Sequence, residues 1–375
     1  MIYLDYSANS PVDDRVLDNY VSVTKKYIGN PNSSHKLGLE AKNIIDESSI
    51  KIAKYFNTSK ESVIYTSGSS ESNNLVIKGV CELYKNKGKH IIISPIEHSS
   101  VVAPLNYLCN KGFEVTVLSL TKDGIIDLEE LKNSIREDTI LVSICSVDSE
   151  LGTIEPIKEI VNIVKEHNII FHTDATQAIG KIDIDYTGCD FITFAPHKFY
   201  GINGSGVLMN MNNIKIMPLI HGGRSTTIFR SGTPVTANAS STSVALELAV
   251  EDLSNRYEYV SNLKKYLIDE LSKLDYVHIN SPKNSIPNTL NFSLTHIKES
   301  EVVEKLEKKD IYLSTVSACS MKNSPSKSVF AITGSEELSR NSIRVSLSHL
   351  TSLSELKIFI KEFISICEEL KNENN

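Results

Sequence analysis

Short apolar runs typical of buried strands alternate with longer amphipathic stretches typical of helices between about residues 63 and 210. The first predicted strand begins near residue 63, and the later ones cover residues 90–94, 114–120, 139–145, 169–174, 191–196 and 206–210. A regular alternation of strands and helices is typical of a mostly parallel sheet with helices on both faces. The pattern therefore predicts an α/β architecture for this part of the chain.

The pattern changes after residue 210. Residues 222–243 are rich in Ser, Thr and Gly, which predicts a long irregular segment beside a functional site. The remaining predicted elements are helices at 244–274, 300–308 and 352–370, and strands at 277–279 and 289–293. A chain of 375 residues is long enough to form two domains.

The composition limits the classes of function. With 41% hydrophobic and 23% charged residues the chain resembles an ordinary globular protein, and its net charge of −7 disfavours a nucleic-acid-binding surface. No apolar run approaches the length of a membrane span, and the N-terminus lacks the pattern of a signal peptide. Six cysteines without a CxxC pair, and ten histidines without metal-ligand spacing, predict neither a disulfide scaffold nor a metal site. We therefore expect a cytoplasmic protein that binds no nucleic acid, membrane or metal.

Lys198 lies just beyond the apolar run 191–196 and precedes two aromatic residues and a glycine-rich turn. An amine at the end of a buried strand is partly desolvated, which lowers its pKa and makes the neutral form available. A neutral amine forms a Schiff base with an aldehyde cofactor, of which pyridoxal phosphate is the common one. Taken alone, an ordinary surface lysine is the simpler interpretation of this residue.

Three other strand ends carry groups that such a cofactor requires. Asp174 would keep the pyridine nitrogen protonated, although a helix-capping role is also open. The hydroxyl-rich turn 67–71 opens a helix, so it would bind a phosphate or simply begin that helix. His98 would stack on the ring and move protons, or serve as a structural histidine. Because ligands bind at the carboxyl ends of parallel strands, we expect all of these groups to converge with Lys198.

Further segments match a known pattern in both order and spacing. They lie at residues 3–5, 29–31, 66–68, 71, 74, 96–98, 150–153, 172–175, 197–198, 221–223, 230–233, 287–288, 317–319 and 342–344. In these segments the chain resembles the class V aminotransferase family, and within it the NifS/IscS-like cysteine desulfurases. The resemblance extends from Tyr3 to about Thr351.

This resemblance implies an α/β fold of the PLP-dependent transferase type (aspartate aminotransferase-like, fold type I). Such a fold has a mostly parallel central sheet and a smaller α+β domain. Carried onto this chain, it predicts a large domain at residues 15–255 that binds the cofactor. The small domain is expected to comprise residues 1–14 together with residues 256–375, and to carry the loop that contains Cys319.

The resemblance also implies a role for each cofactor-binding residue. Lys198 would hold pyridoxal 5'-phosphate as a Schiff base, Asp174 would pair with its ring nitrogen, and His98 would stack on the ring. The other implied contacts are Gln177 and Ser149 at the phenolic oxygen, and Ser69, Ser70, His197 and Thr233 at the phosphate, with Thr233 coming from the second subunit of a homodimer.

For the substrate, the resemblance implies L-cysteine, with Arg344 and Asn30 in the substrate-binding site. Lys198 would remove the α-proton of the substrate, and His98 would accept a proton from a thiol. The thiolate of Cys319 would then take the substrate sulfur as a persulfide, which leaves L-alanine.

Cys319 lies in a small, polar stretch rich in Ser and Lys, residues 314–328. This composition predicts a mobile exposed loop. The family resemblance implies that the loop delivers sulfur to a separate acceptor protein, for iron–sulfur cluster assembly or tRNA thiolation. The other cysteines are expected to be packing residues: Cys81, Cys109, Cys145, Cys189 and Cys367.

The chain departs from the family pattern at several positions. Asp148 and Ser149 stand where two asparagines are usual, and Ala195 and Pro196 replace a Ser–Gly pair. Val316 replaces a glycine, and residues 224–229 also differ. Two alternatives therefore stay open: another PLP enzyme (a selenocysteine lyase or a transaminase-like relative), and a degenerate homologue that serves as a scaffold.

Overall fold

The computed structural model of the chain describes residues 1–223, 225–315 and 324–373. Cys319, Val316 and Arg224 lie outside the described residues. The strands are β1 (Ile2–Tyr3), β2 (Val63–Thr66), β3 (His90–Ile93), β4 (Glu114–Val117), β5 (Thr139–Ser143), β6 (Ile170–Asp174), β7 (Phe191–Phe194), β8 (Gly206–Asn210), β9 (Val277–Ile279), β10 (Thr289–Leu294), β11 (Ile311–Tyr312) and β12 (Ser342–Ser346). The α-helices are α1 (Asp14–Lys26), α2 (Lys36–Tyr55), α3 (Ser69–Tyr84), α4 (Ser99–Cys109), α5 (Leu128–Ser134), α6 (Ile157–Glu166), α7 (Thr236–Glu251), α8 (Leu253–Leu271), α9 (Glu299–Glu307), α10 (Lys327–Thr333), α11 (Glu336–Arg340) and α12 (Leu353–Glu373).

Seven strands form a central sheet in the order β2-β8-β7-β6-β5-β3-β4. Strand β8 is antiparallel to both of its neighbours, whereas the other pairs of adjacent strands in this sheet are parallel. Strands β2, β3, β6 and β7 therefore point in the same direction, and their carboxyl ends lie at one edge. This arrangement confirms the predicted mostly parallel α/β fold.

Both faces of the central sheet are covered by helices. Phe191 packs in a cluster that contains Val80 of α3, whereas its neighbour Ile192 packs in a cluster that contains Ile160 of α6. Consecutive side chains of a strand point to opposite faces, so β7 is buried on both sides. This two-sided burial explains why the strands of this sheet appear in the sequence as continuous apolar runs.

The C-terminal part of the chain contains a second, smaller α+β unit. Strands β12, β10 and β9 form an antiparallel sheet in that order, and β1 pairs with β11 in parallel. Leu4 near the N-terminus joins Phe292 and Phe363 in one buried cluster. The N-terminal residues therefore pack with the C-terminal unit, while the predicted domain boundaries after residues 14 and 255 stay a prediction.

Helix α7 differs from the sequence prediction. Residues 222–243 are predicted to be irregular, but α7 begins at Thr236 and packs against α1 and α2. The first two turns of α7 consist of small residues, and several of them, including Ala237, Ala239 and Ser241, are buried. The prediction is wrong for residues 236–243, because small side chains allow close helix packing but produce no apolar periodicity.

The predicted packing role of the cysteines is confirmed for four of them. Cys81, Cys145, Cys189 and Cys367 are buried, whereas Cys109 is exposed and free. The prediction is wrong for Cys109 because it lies on the solvent-facing side of α4, one turn after the exposed Asn106.

In the described part of the chain, no helix has the length and apolar character required to cross a membrane. The same residues include no group of three or more His, Cys, Asp or Glu side chains placed to hold a metal ion.

Candidate active site

A cavity of about 270 Å³ lies at the edge of the central sheet where β2, β6 and β7 end and where α3 begins. The predicted site residues that line it are Ser69, Ser70, His98, Ser149, Asp174, Gln177, His197 and Lys198. Arg344, Asn30 and Thr233 are not part of its wall, and Cys319 lies outside the described residues. The polar residues at the four strand ends thus come together as the parallel pattern predicts.

Lys198 ends a short 3₁₀ turn, Pro196–Lys198, that follows β7. Its Nζ donates hydrogen bonds to the backbone carbonyl oxygens of Ser7 at 2.7 Å and Ala8 at 2.6 Å. The backbone N–H of Ser7 in turn donates to Ser346 Oγ at 2.9 Å, which ties this segment to β12. The N-terminal segment therefore positions the amine at the cavity wall.

Asp174 ends β6 and is only 6% exposed. Its Oδ1 accepts from the backbone N–H of Thr176 at 3.0 Å, and its Oδ2 accepts from Asn73 Nδ2 at 2.7 Å. The helix-capping role that the sequence left open is not observed, because residues 176–181 form a turn and β7 is the next regular element. The carboxylate instead caps this turn, and the contact with Asn73 holds it in the cavity wall.

A chain of hydrogen bonds connects Asp174 with His98. Asn73 Nδ2 donates both to Asp174 and to Ser100 Oγ, the latter at 2.8 Å, and Ser100 Oγ lies 2.8 Å from His98 Nδ1. The backbone N–H of Ser100 also donates to His98 Nδ1 at 3.2 Å, which makes His98 the N-cap of α4. Because Nδ1 accepts these bonds, the neutral ring carries its proton on Nε2.

The electrostatic surroundings favour neutral histidines at this cavity. Burial is the main cause that lowers the pKa of His98; Lys198 adds to the shift and Asp174 opposes it. Burial, together with the nearby charges of Lys198 and Lys181, lowers the pKa of His197 to about 4. At neutral pH both rings therefore act as uncharged hydrogen-bonding groups.

The turn that opens α3 has the geometry of an anion site. Gly68 is the N-cap of α3, and Ser69 Oγ lies 2.7 Å from Thr176 Oγ1 on the turn after β6. Glu71 in the first turn accepts from the backbone N–H of Ser67 at 2.8 Å and pairs with Arg230 Nε at 3.0 Å. The positive charge of Arg230 thus offsets the negative charge of Glu71. The backbone N–H groups at the start of α3 therefore remain suited to bind an anion.

Arg344 on β12 is almost completely buried, at 1% exposure, and approaches the cavity indirectly. Its Nη2 forms an ion pair with Asp5 Oδ1 at 2.7 Å, and its Nη1 donates to the backbone carbonyl of Ser149 at 3.1 Å. Its Nε has no hydrogen-bond partner. Ser149 lines the cavity, so Arg344 lies directly behind its wall.

Asn30 and Thr233 lie elsewhere in the subunit. Asn30 is exposed, and its Oδ1 accepts from the backbone N–H of Asn32 at 2.9 Å. Thr233 is exposed at a second cavity of about 170 Å³, which Arg230 and Ser67 also line. Ser67 borders both cavities, so this second cavity lies beside the first.

The described residues on either side of Cys319 bond to residues next to or behind Ser149 of the cavity wall. Ser314 exchanges two backbone hydrogen bonds with Arg344, at 2.7 and 3.3 Å. On the other side, Ser326 Oγ donates to Glu150, and Ser328 Oγ donates to Asp148 Oδ1 at 3.0 Å. Asp148, where the family pattern has Asn, is buried, and burial together with Glu150 raises its pKa to about 7. Its Oδ2 accepts from the backbone N–H of Glu150 at 3.0 Å, so Asp148 accepts on both oxygens, whereas an asparagine has one acceptor oxygen.

Sequence reasoning missed three residues that shape this site. Asn73 is the fifth residue of α3, and Ser100 is the second residue of α4. The starts of both helices were recognised in the sequence, so the short separation of each residue from its helix start was the available signal. Ser7 acts through its backbone carbonyl, and a main-chain group has no signature in the residue type.

Comparison with known proteins gives a consistent family assignment. Residues 2–359 match the family described as Aminotransferase class-V. The cysteine desulfurase IscS of Dictyoglomus turgidum is 39% identical over 375 residues, which cover 99% of this chain and 95% of the relative. The cysteine desulfurase IscS of Clostridium botulinum is 37% identical over 353 residues, which cover 92% of this chain and 89% of the relative.

Solved structures agree over nearly the full length. A NifS-like protein superposes with a TM-score of 0.92 at 34% identity, and the match covers 98% of this chain and all of that chain (100%). A structure described as SspA in complex with cysteine has a TM-score of 0.82 at 32% identity, and covers 94% of this chain and 100% of the other.

Proposed function

The chain belongs to the aminotransferase class-V family, and we propose that it is a pyridoxal-phosphate-dependent cysteine desulfurase that transfers the sulfur of L-cysteine to Cys319. The observation that carries this proposal is the placement of Lys198 and Asp174 at the ends of adjacent strands around one cavity, which the N-terminus of α3 also borders. Identities of 37–39% to cysteine desulfurases over most of the chain support the same reaction.

The residues of the cavity fit pyridoxal phosphate by their chemistry. The amine of Lys198 suits the aldehyde, the buried carboxylate of Asp174 suits a protonated ring nitrogen, and the N-terminus of α3 suits a phosphate. The other residues proposed to hold the cofactor are His98 at the ring, Gln177 and Ser149 at the phenolic oxygen, and Ser69, Ser70 and His197 at the phosphate. When bound, the cofactor supplies an electron sink for the negative charge that remains after an α-proton is removed.

The protein's own groups then have distinct tasks. Lys198 removes the α-proton of the substrate and returns it, because its amine is the nitrogen base that the N-terminal segment holds at the cavity. The Cys319 thiolate attacks the substrate sulfur, so a sulfur–sulfur bond forms while the carbon–sulfur bond of the substrate breaks. The carbon left behind is protonated, and the product is L-alanine.

Arg344 and Asn30 are proposed as the substrate-binding residues. Arg344 donates to the carbonyl of Ser149 in the cavity wall and keeps a buried Nε without a partner. A carboxylate of L-cysteine placed beside Ser149 would therefore meet a guanidinium with an unused donor. No contact in the described subunit joins Asn30 to the cavity, so its role rests on the family resemblance alone.

The length of chain around Cys319 is compatible with its proposed role. Ser314 lies five residues before Cys319, and Ser326 lies seven residues after it. An extended chain spans at most about 3.5 Å per residue, so five residues can span roughly 17 Å and seven residues roughly 25 Å. Ser314 bonds to Arg344 behind the cavity wall, and Ser326 bonds to Glu150, which follows Ser149 of the wall. A segment of this length that starts from these two points is compatible with a thiol that reaches the substrate.

We infer in addition that the enzyme is a homodimer in which Thr233 reaches the phosphate of the neighbouring subunit. Its exposure beside the cavity supports this inference. The persulfide is proposed to pass to an acceptor protein, for iron–sulfur cluster assembly or tRNA thiolation. A cytoplasmic location stays a prediction.

The test combines cofactor trapping with one substitution. Borohydride reduction of the holoenzyme followed by peptide mass spectrometry should place the cofactor on Lys198. A Cys319→Ala variant should keep the absorbance of the bound cofactor and lose sulfide release from L-cysteine, because the sulfur acceptor is missing. A Cys109→Ala variant is the matched control, since Cys109 is a free, exposed cysteine at the end of α4, away from the cavity lining.

Five outcomes would contradict the proposal. Cofactor trapped on another lysine would exclude Lys198, and sulfide release by Cys319→Ala at the parent rate would exclude the persulfide step. A strong preference for selenocysteine over cysteine, or transamination of alanine with a keto acid that does not require Cys319, would favour the alternative PLP enzymes. Protein that takes up no cofactor would favour a scaffold.

A further inference from the structure

Lys181 is a buried cation behind the wall of the active-site cavity. Its residue is only 9% exposed, and none of the ion pairs among the described residues includes it. Its Nζ donates a hydrogen bond of 2.5 Å to Gln177 Oε1, one turn earlier in the chain. Its backbone N–H donates to the carbonyl of Ala178 at 3.0 Å, so the turn that carries the amine is itself fixed.

We propose that Lys181 is a positioning residue that fixes the side-chain amide of Gln177, so that Gln177 presents an N–H donor to the cavity. This inference rests on the proposed function, since Gln177 is the residue assigned to the phenolic oxygen of the cofactor. It assigns to Lys181 a role in the site although Lys181 does not line the cavity.

The argument begins with the symmetry of an amide side chain. The two ends of a glutamine amide have nearly the same shape, but one end only accepts hydrogen bonds and the other only donates them. A lysine ammonium only donates, so the group that faces Lys181 Nζ must be the Gln177 oxygen. The Gln177 nitrogen is then directed to the other side, where it donates to the backbone carbonyl of Ser7 at 3.0 Å.

A reversed amide would be unfavourable at both ends. The Gln177 nitrogen would face the donors of Lys181, and the Gln177 oxygen would face the carbonyl oxygen of Ser7. Buried polar groups without a partner are strongly unfavourable, so Lys181 and Ser7 together select one orientation. An amide nitrogen has two N–H groups, and only one is used by Ser7. Since Gln177 lines the cavity, the second N–H is the donor available to an oxygen bound there.

The same contact connects Lys181 with the catalytic amine. The carbonyl oxygen of Ser7 accepts from Gln177 Nε2 and also from Lys198 Nζ at 2.7 Å. Loss of the bond between Lys181 and Gln177 would free the amide to rotate and would change one of the two donors on this carbonyl. We therefore expect any effect of Lys181 to pass through Gln177.

The charges nearest to Lys181 are positive. Burial, with the charges of Lys198 and Arg344, lowers the pKa of Lys181 to about 7. The ammonium form, which prevails below that pKa, only donates, whereas the neutral amine donates to Gln177 but can also accept. The ammonium therefore selects the amide orientation most strongly, and the carbonyl of Ser7 selects the same orientation in both forms. A small cavity that Lys181 and Lys198 both line also includes Arg256, His349 and Tyr200.

The experiment compares variants of the holoenzyme at one fixed pH. K181M removes the donor while keeping an apolar chain of similar length, and K181R restores a donor that cannot accept. The readout is the visible absorption spectrum of the bound cofactor, which responds to hydrogen bonding at its phenolic oxygen. K181M should shift this spectrum and reduce kcat about tenfold, the equivalent of one hydrogen bond, and K181R should recover both.

Lys264 provides a matched control. It is also buried, at 8% exposure, and burial lowers its pKa to about 7 as well. Its Nζ donates to Ser285 Oγ at 2.6 Å and to the carbonyl of Ile286 at 2.8 Å, away from the cavity. K264M should therefore lose stability without a change in the absorption spectrum.

A second comparison separates positioning from a purely structural role. In a Gln177→Leu background the amide is absent, so adding K181M should produce no further change in the spectrum. The proposal is overturned if K181M shifts the spectrum equally in both backgrounds, or if K181M behaves like K264M. If K181M does not fold, K181L, which also removes the donor, is compared in its place by the same spectrum. Failure of the parent protein to hold cofactor on Lys198 would instead refute the proposed function, so the two failures are distinguishable.

Discussion

At the scale of single residues, Arg344 combines a structural and a proposed substrate-binding role. A guanidinium at 1% exposure requires a partner, and Asp5 supplies it at 2.7 Å from the opposite end of the chain. The substrate carboxylate would have to join this pair or replace Asp5 in it. A change in the strength of the Asp5–Arg344 ion pair should therefore change both the stability of the fold and the binding of the substrate.

We predict that Asp5→Asn lowers the free energy of unfolding by about 3 kcal/mol, because it leaves the Arg344 charge buried without a counter-charge. Urea unfolding of the holoenzyme measures the change. Glu247→Gln is the control, since the pair of Glu247 with Lys51 is half exposed (50% for each side chain). Pairs of this kind contribute only about 0–1 kcal/mol. Equal losses in the two variants would show that Arg344 does not depend on Asp5.

Residue-scale contacts were also the hardest to predict. The resemblance placed Asp174 in the site, but the sequence did not show that Asn73 holds its carboxylate. Asn73 and Asp174 are separated by 101 positions, and an asparagine inside a helix has many other uses. The pairing depends on how α3 lies against the end of β6, which is a property of the fold.

At the scale of elements, the anion site depends on a close approach between the start of β8 and the turn that opens α3. The start of β8 at Gly206 pairs with the end of β2 at Thr66 and passes directly beneath Gly68, the N-cap of α3. A Cβ atom at Gly206 would lie 2.5 Å from the Cα and carbonyl carbon of Gly68. The absence of a side chain at Gly206 therefore allows β8 to support the turn that opens α3.

We predict that Gly206→Ala lowers stability by about 1–3 kcal/mol, because the backbone of Gly68 must move to admit a methyl group. Since Gly68 precedes Ser69 and Ser70, the same variant should weaken binding of the cofactor through its phosphate. Thermal unfolding and the equilibrium for cofactor release measure the two effects. Gly223→Ala is the control, because a Cβ atom there meets no atom within 4 Å. Unchanged cofactor binding in Gly206→Ala would contradict the supporting role of β8.

Element prediction succeeded where apolar periodicity is strong. The inner strands β5, β6, β7 and β8 were recognised because they are buried on both faces and appear as largely apolar runs. The edge strand β4 is not buried in this way, and its alternation of polar residues and valines was the signal there. Helix α7 was recognised only in its second half, because its first turns are built from small residues that pack closely without an apolar stripe. The local sequence pattern thus identifies an element when large apolar side chains occupy its buried positions.

At the scale of the whole molecule, the proposed dimer makes a prediction about mixed subunits. A Thr233→Asp variant should bind the cofactor poorly, because a carboxylate would repel the phosphate. A Lys198→Ala variant should fail to hold the cofactor covalently. In a heterodimer of the two variants, one site combines an intact Lys198 with an intact Thr233 from the other subunit.

We therefore expect the isolated heterodimer, made by co-expressing differently tagged copies, to release sulfide although each parent homodimer is impaired. The measurement is sulfide release per heterodimer, with the two variant homodimers as controls. If Thr233 acts within its own subunit, the heterodimer will show no recovery. A protein that sedimentation shows to be monomeric would also exclude the shared site.

The sequence by itself determined the succession of strands and helices along the chain, the polar residues at the strand ends and the family to which the chain belongs, whereas the order of the strands in the sheet came from the structure. These are local or linear signals: apolar periodicity, the residue that follows a strand, and the spacing of motifs. Because parallel strands end at one edge, such signals were sufficient to bring Lys198, Asp174, His98 and the turn before α3 to one cavity.

Only the tertiary structure decided how those residues are held. Lys198 meets the carbonyl of Ser7 across 191 positions, and Arg344 meets Asp5 across 339 positions. Neither contact has a local signature, because a backbone carbonyl is present in every residue and ion pairs have many potential partners in the sequence. The path of the N-terminal segment selects these contacts. The segment pairs with β11 and packs with the C-terminal unit, so its path is determined by the packing of the whole chain.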